Sequence, residues 1–170
     1  MNIKEALLKE HSKHQTLAIS RYIGSNKSRF AELMELFFKG EYRINQRASW
    51  VVSYCAENDK QLIKPYLKAM LENLANPIHD AVKRNTIRIL QNIEIPDDLL
   101  GIATDVCFRY LINKTEPVAI RVFSMSVLAN IAKKEPEIIP ELRAIIEDNM
   151  PYALPAFLSR GKKVLKLLAY

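Results

Sequence analysis

Two cysteines, four glycines and one tryptophan occur in 170 residues. No GxSxG, HExxH, CxxC or phosphate-binding glycine-rich loop is present, which removes the common signatures of hydrolases, zinc enzymes, thiol oxidoreductases and nucleotide-binding sites. No window approaches the ~18 uninterrupted apolar residues of a membrane span. The N-terminal MNIKEALLKE lacks an apolar signal core and a small-residue cleavage motif, so a cytoplasmic location away from membranes is expected. Scarce glycine, with eight prolines mostly at the ends of apolar periodic segments, suits helices joined by short turns.

The composition is that of a globular chain, 49% hydrophobic and 26% charged. Its length is enough for a single domain, 1–170, with a substantial core. The net charge of +6 permits an acidic protein surface or nucleic acid as partner and demands neither.

One five-position pattern returns four times, at intervals of 38, 38 and 37 residues. It runs through Ile44, Ala48, Val51, Val52, Cys55; Val82, Thr86, Ile89, Leu90, Ile93; Ile120, Ser124, Val127, Leu128, Ile131; and Phe157, Gly161, Val164, Leu165, Leu168. Between these lies a second series: Phe30, Leu33, Met34, Phe37; Leu67, Met70, Leu71, Leu74; Ala103, Val106, Cys107, Tyr110; Leu142, Ile145, Ile146, Asn149. Both have the spacing of one face of an α-helix. Each repeat is therefore an outer helix A and an inner helix B, over 28–57, 60–94, 97–133 and 136–168. Residues 1–25 fit this scheme less well and read as an N-terminal capping helix, with Ile3, Leu7, His14, Ala18 and Tyr22 along one face. The expected fold is an all-α superhelix of about nine helices.

The second position of the B pattern is always small: Ala48, Thr86, Ser124 or Gly161. Lack of bulk there lets two helices approach closely. Cys55 and Cys107 fall at core positions and read as small hydrophobes. Turn chemistry agrees with the division. Asp59 caps a helix, Pro77, Pro117 and Pro136 punctuate the turns, His79 assists a helix start, and Asp97 and Asp98 supply capping carboxylates. Pro65 and Pro140 are possible kink points in A helices.

A two-helix period of 36–39 residues with proline at its turns resembles HEAT and armadillo-type repeats. Asp80, Val82 and Lys83 resemble the acidic and Val-Arg or Val-Lys elements near the start of a HEAT helix B, and Ile120-Arg121 matches the second of these. The resemblance covers about residues 28–168 and implies a scaffold that binds through the concave face lined by its B helices.

On those helices, positions two, six and nine after the first core residue face outward: Gln46, Trp50, Ser53; Arg84, Arg88, Gln91; Val122, Ser126, Ala129; Ser159, Lys163, Lys166. Trp50 adds an aromatic plane beside Arg47. Candidate partner-binding residues are thus Gln46, Arg47, Trp50, Arg84, Arg88, Gln91, Lys163 and Lys166. Two readings are open. The cations contact phosphates or carboxylates while Trp50 anchors a partner, or they are solvated charges and Trp50 folds onto a neighbouring helix. The segment from Arg47 to Ser53 is loosely similar to the Trp- and Arg-bearing helices of HEAT-like alkylpurine DNA glycosylases. Their paired-tryptophan cleft and acidic residue are missing, so only a non-catalytic nucleic-acid affinity is implied. The Gly-Ser-Ser-x-Met-Pro loop of the fumarase-type all-α lyases is absent too. His11 and His14 have metal-compatible spacing but no third ligand, so a solvated cap is expected and no metal or other cofactor.

The chain therefore reads as a non-enzymatic adaptor or regulatory module for an acidic or amphipathic protein partner, with salt-sensitive nucleic-acid binding as the alternative. Val164 to Tyr170 is apolar on more than one side, so the C-terminal helix is expected to pair with another copy or lie under the partner.

Overall fold

The computed structural model describes residues 1–169, and these form helices and turns without any strand among them. Tyr170, the last residue of the apolar C-terminal segment, lies outside the described residues. Two compact units result, Met1–Ile93 and Glu94–Tyr170. The first holds α1 (Ile3–Lys9), α2 (Lys13–Ile23), α3 (Lys27–Lys39), α4 (Tyr42–Asn58), α5 (Lys60–Ile63), α6 (Leu67–Asn73) and α7 (Asp80–Leu90). The second holds α8 (Leu100–Ile112), α9 (Val118–Ile131), α10 (Ile139–Asn149) and α11 (Pro155–Leu167). The fold is all-α and solenoid-like, built from successive helix pairs.

Both apolar series are core. Of their positions only Ile93, Ile145, Asn149, Leu165 and Leu168 are half-buried, and all others are buried. Val51, Ile89, Val127 and Val164 share one environment, each 4% exposed or less. The small position brings helices together as expected. A Cβ on Gly161 would stand 3.1 Å from the Ile146 side chain of α10, tighter than an ordinary van der Waals contact.

The N-terminal segment departs from the expected single capping helix. Glu10 is extended and ends α1, and the Ser12 hydroxyl accepts from the Gln15 amide 3.1 Å away to start α2. The result is a helix hairpin. Its buried residues are Ile3, Ala6, Leu7, Thr16, Ile19, Ser20 and Ile23. His14 is exposed, and Ala18 and Tyr22 are half-buried, so the expected row through them is not the core row. Ser12, Thr16, Ile19, Ser20 and Ile23 reproduce the five-position B pattern, with Thr16 at the small position. α2 is therefore a B helix, and it packs on α4 as α4 packs on α7.

The A helix of the second repeat is also divided. Pro65 sits in a tight turn, Lys64–Tyr66, between α5 and α6. Its ring removes a backbone donor and clashes with the preceding turn, which accounts for the break. These two divisions turn the expected nine helices into eleven helical segments among the described residues.

Among the caps, Asp59 accepts from the Gln61 amide at 3.0 Å and His79 Nδ1 accepts from the Ala81 amide at 2.8 Å. Asp97 and Asp98 make no capping bond. The Asp97 carboxylate instead accepts from Lys134 Nζ at 2.9 Å, and Glu94 accepts from the same ammonium at 3.1 Å, which raises the Lys134 pKa.

Candidate functional site

In the first unit, packing leaves one row of each B helix open. α4 is covered by its A helix α3 and by the B helices α2 and α7, so only its remaining side meets solvent. On α4 this row runs through Gln46, Trp50, Tyr54 and Glu57, and on α7 through Arg84, Arg88 and Gln91. Trp50 is half-buried. Its indole meets the His11 ring edge-on at 5.6 Å between centroids and lies 6.4 Å from the Tyr54 ring. His11 thus serves as an aromatic neighbour, and no group of three His, Cys, Asp or Glu side chains able to hold a metal occurs among the described residues.

Arg88 crosses from α7 to α4. Its Nη2 donates to Glu57 Oε1 at 2.5 Å, and its guanidinium stands 5.8 Å from the Tyr54 ring centroid. The charge of Arg88 is therefore largely matched within the row, and Arg84 is the exposed cation beside it. Trp50, Tyr54 and Arg88 form an aromatic and cationic strip with an apolar centre, the composition that concentrates binding energy at protein interfaces.

Arg47 lies differently. Its Nη1 donates to the carbonyls of Leu7 at 2.7 Å and Leu8 at 3.1 Å, near the C-terminus of α1. A guanidinium is favoured there, since those carbonyls lack intrahelical partners and carry the negative end of the helix dipole. The side chain fixes the N-terminal hairpin to α4 and so holds His11 against Trp50.

Of the positions expected to face outward, Ser53, Val122 and Ala129 are buried. Position nine on α4 and α9 is held by the short side chains of Ser53 and Ala129, and the Ser53 hydroxyl is accommodated by donating to the Trp50 carbonyl at 2.8 Å. The other missed contributors are Tyr54, Glu57 and His11. Tyr54 and Glu57 continue the Trp50 row at i+4 and i+7, and that spacing could have found them. His11 could not be placed without knowing that α1 and α2 form a hairpin.

In the second unit the row is sparser. Ser126 of α9 accepts a hydrogen bond from Arg160 of α11, and Ser159, Lys163 and Lys166 are exposed along α11. Met125 and Ala129 of α9 are buried, whereas the equivalent positions of α11 are exposed Lys162 and Lys166.

Both thiols are buried and free. Cys55 Sγ lies 3.6 Å from the Ser20 hydroxyl, and burial pushes its pKa up to about 11. Cys107 is fully enclosed beside the Ser124 hydroxyl, and burial pushes its pKa up to about 12. Neither is a nucleophile at neutral pH. Arg121 occupies the basic position of the third repeat. Its Nε donates to the Leu111 carbonyl at 3.0 Å and its Nη2 to Asn149 Oδ1 at 2.9 Å, so it joins α8, α9 and α10; burial lowers its pKa.

No helix among the described residues is long and apolar enough to cross a membrane. Comparison with curated proteins and with solved structures gives no match. The helix pairs, the small position on each B helix and the basic side chain tying A to B agree with one further comparison, in which residues 3–168 match the model of the HEAT repeat domain. That match takes in the N-terminal hairpin as well as the four later repeats, and the chain belongs to the HEAT repeat family.

Proposed function

We propose that this chain is a non-enzymatic protein-binding module whose contact surface is the open B-helix row, with Trp50 as its anchor. A HEAT repeat domain suggests an interaction or adaptor role in general. The observation that carries the specific reading is the placing of Trp50. Its ring is half-buried between His11 and Tyr54, so it is pre-ordered at little further entropic cost while one part still faces solvent. Arg84 and Gln46 flank it, and Arg88 is held by Glu57. An amphipathic segment with acidic residues beside an apolar anchor suits this strip. Arg47 belongs to the scaffold in this reading, and Gln91, Lys163 and Lys166 are peripheral.

The test is capture from nuclease-treated lysate by the wild-type chain, Trp50→Ala and Arg84→Glu, with quantitative mass spectrometry. A protein depleted about tenfold or more by Trp50→Ala, and less by Arg84→Glu, supports the reading. Equal capture by wild type and Trp50→Ala sinks it.

The exposed Lys162, Lys163 and Lys166 on α11 favour a second reading, nucleic-acid binding. It requires an affinity that falls steeply with salt, with a slope that shrinks by about one unit for each lysine removed. Self-association through α11 would have to cover Lys162 and Lys166, and sedimentation at rising concentration decides that point.

A further inference from the structure

A cavity of about 240 Å³ opens between the α8–α9 turn and the α10–α11 turn of the second unit. Arg121, Lys114 and the carboxylate of Glu116 supply its charged lining, and Val118, Ala153, Leu154 and Phe157 its apolar lining. The volume suits one residue-sized group, below the usual range of drug-sized pockets. Arg121 is fixed before any ligand arrives. Its guanidinium stands 4.8 Å from the Phe157 ring centroid, and both of its hydrogen-bond partners, the Leu111 carbonyl and the Asn149 amide oxygen, are neutral. With Lys114 beside this guanidinium and Glu116 the single carboxylate in the lining, the cavity wall keeps one positive charge in excess, which favours an anion. The rim is apolar and solvated. Tyr152 is 90% exposed and Leu154 61% exposed. Large apolar side chains left in water beside a cationic cavity favour a ligand with an apolar body next to its charge.

From the cation at Arg121 and the apolar rim at Tyr152 and Leu154, we propose that this cavity binds an apolar carboxylate. The ligand is either the terminal carboxylate of a peptide ending in an aliphatic residue or a small free acid of the same chemistry. The carboxylate pairs with Arg121 and Lys114, and the aliphatic part lies against Leu154 and Phe157. The site is separate from the Trp50 row, so each can fail without the other.

The experiment is titration of the isotope-labelled full chain, followed by amide resonances. The probes are N-acetyl-leucine, N-acetyl-leucine amide, hexanoate and inorganic phosphate. N-acetyl-leucine is expected to shift Lys114, Ala153 and Leu154 saturably. The amide analogue, which lacks the charge, is expected to bind about tenfold more weakly or not at all. Hexanoate binding as tightly as N-acetyl-leucine identifies a free acid as sufficient, whereas N-acetyl-leucine binding alone identifies a peptide end; both support the site. No saturable shift at these residues overturns it, as does phosphate binding as tightly as N-acetyl-leucine. Arg121→Gln tests the cation, but it also removes a link between helices. Leu154→Glu is therefore the second variant. It changes an exposed residue and places a negative charge at the rim, and it is expected to weaken N-acetyl-leucine about tenfold. Unchanged binding to a folded Leu154→Glu chain also overturns the proposal.

Discussion

Arg47 donates from Nη1 to the Leu7 carbonyl, 2.7 Å away and 40 positions earlier in the chain. The same nitrogen reaches the Leu8 carbonyl at 3.1 Å. One side chain of α4 thus satisfies orphan acceptors near the end of α1 and neutralises the dipole there. Arg47→Ala is expected to lower the unfolding free energy by about 1–3 kcal/mol, the range for a hydrogen-bonded charged group. Urea denaturation measures it. Because His11 follows α1 and meets Trp50, the variant should also change the emission of the single tryptophan in the native state. A native spectrum and midpoint equal to wild type would mean that the guanidinium is solvated.

The small position of each B helix supports two contrasting substitutions. Ser124 is fully buried where α9 meets its A helix. Ser124→Leu adds bulk with no space to receive it and is expected to cost about 1–3 kcal/mol. At the equivalent position, the Thr86 hydroxyl is buried without a hydrogen-bond partner. Thr86→Val keeps the shape and removes the stranded polar atom, so a gain of about 1 kcal/mol is expected. Thermal unfolding of both variants checks the packing register of helix B, and the two shifts should have opposite sign.

These positions also mark how far the sequence could be read. Apolar spacing identified both helices of the last four repeats, because burial on one face imposes the helical period whatever the side chains are. It did not identify the first hairpin. There the B pattern starts at Ser12, 32 residues before Ile44 rather than 37 or 38, since α1 has 7 residues where α3 has 13. Three of its five positions, Ser12, Thr16 and Ser20, are also polar. Ser20 is tolerated in the core because its hydroxyl lies within reach of Cys55 Sγ and Asn58 Nδ2, at 3.6 and 3.5 Å, and no local pattern contains those partners. Trp50, Arg84 and Arg88 were legible as surface because they sit opposite the apolar face. What Arg47 and Arg88 do was not legible. Each acts on a group from another helix, at Leu7 and at Glu57.

His79 starts α7 with an imidazole in place of the usual hydroxyl or carboxamide cap. Nδ1 accepts from the Ala81 amide at 2.8 Å, which fixes the hydrogen on Nε2, and the Tyr42 ring lies 4.5 Å away. His79→Ala removes the acceptor and is expected to destabilise the fold by about 0.5–2 kcal/mol, while His79→Asn restores an acceptor and recovers most of the loss. Chemical denaturation of the three proteins separates the cap from the ring contact, because both variants lose the Tyr42 contact equally. Equal destabilisation by Ala and Asn would assign the effect to the ring.

Buried thiols give the fold an alkaline limit. Burial raises Cys55 to about 11 and Cys107 to about 12 from an ordinary value of 9.0. Both folded-state values lie above the unfolded one, so the native state holds its thiol protons to higher pH. Below pH 9 both states are protonated and the thiols impose no penalty. Between pH 9 and about 11 the unfolded chain releases protons that the native chain keeps, so unfolding becomes easier as pH rises. Each thiol adds at most about 1.4 kcal/mol per pH unit to that slope. Urea midpoints measured from pH 7 to 11 under reducing conditions should fall above pH 9. Cys55→Ala/Cys107→Ala is expected to start less stable at pH 7, because it opens cavities, and then to lose stability less steeply than wild type. Parallel slopes for the two proteins would place the alkaline loss on lysines and tyrosines instead. In the native protein at neutral pH, both thiols should resist iodoacetamide until denaturant is added.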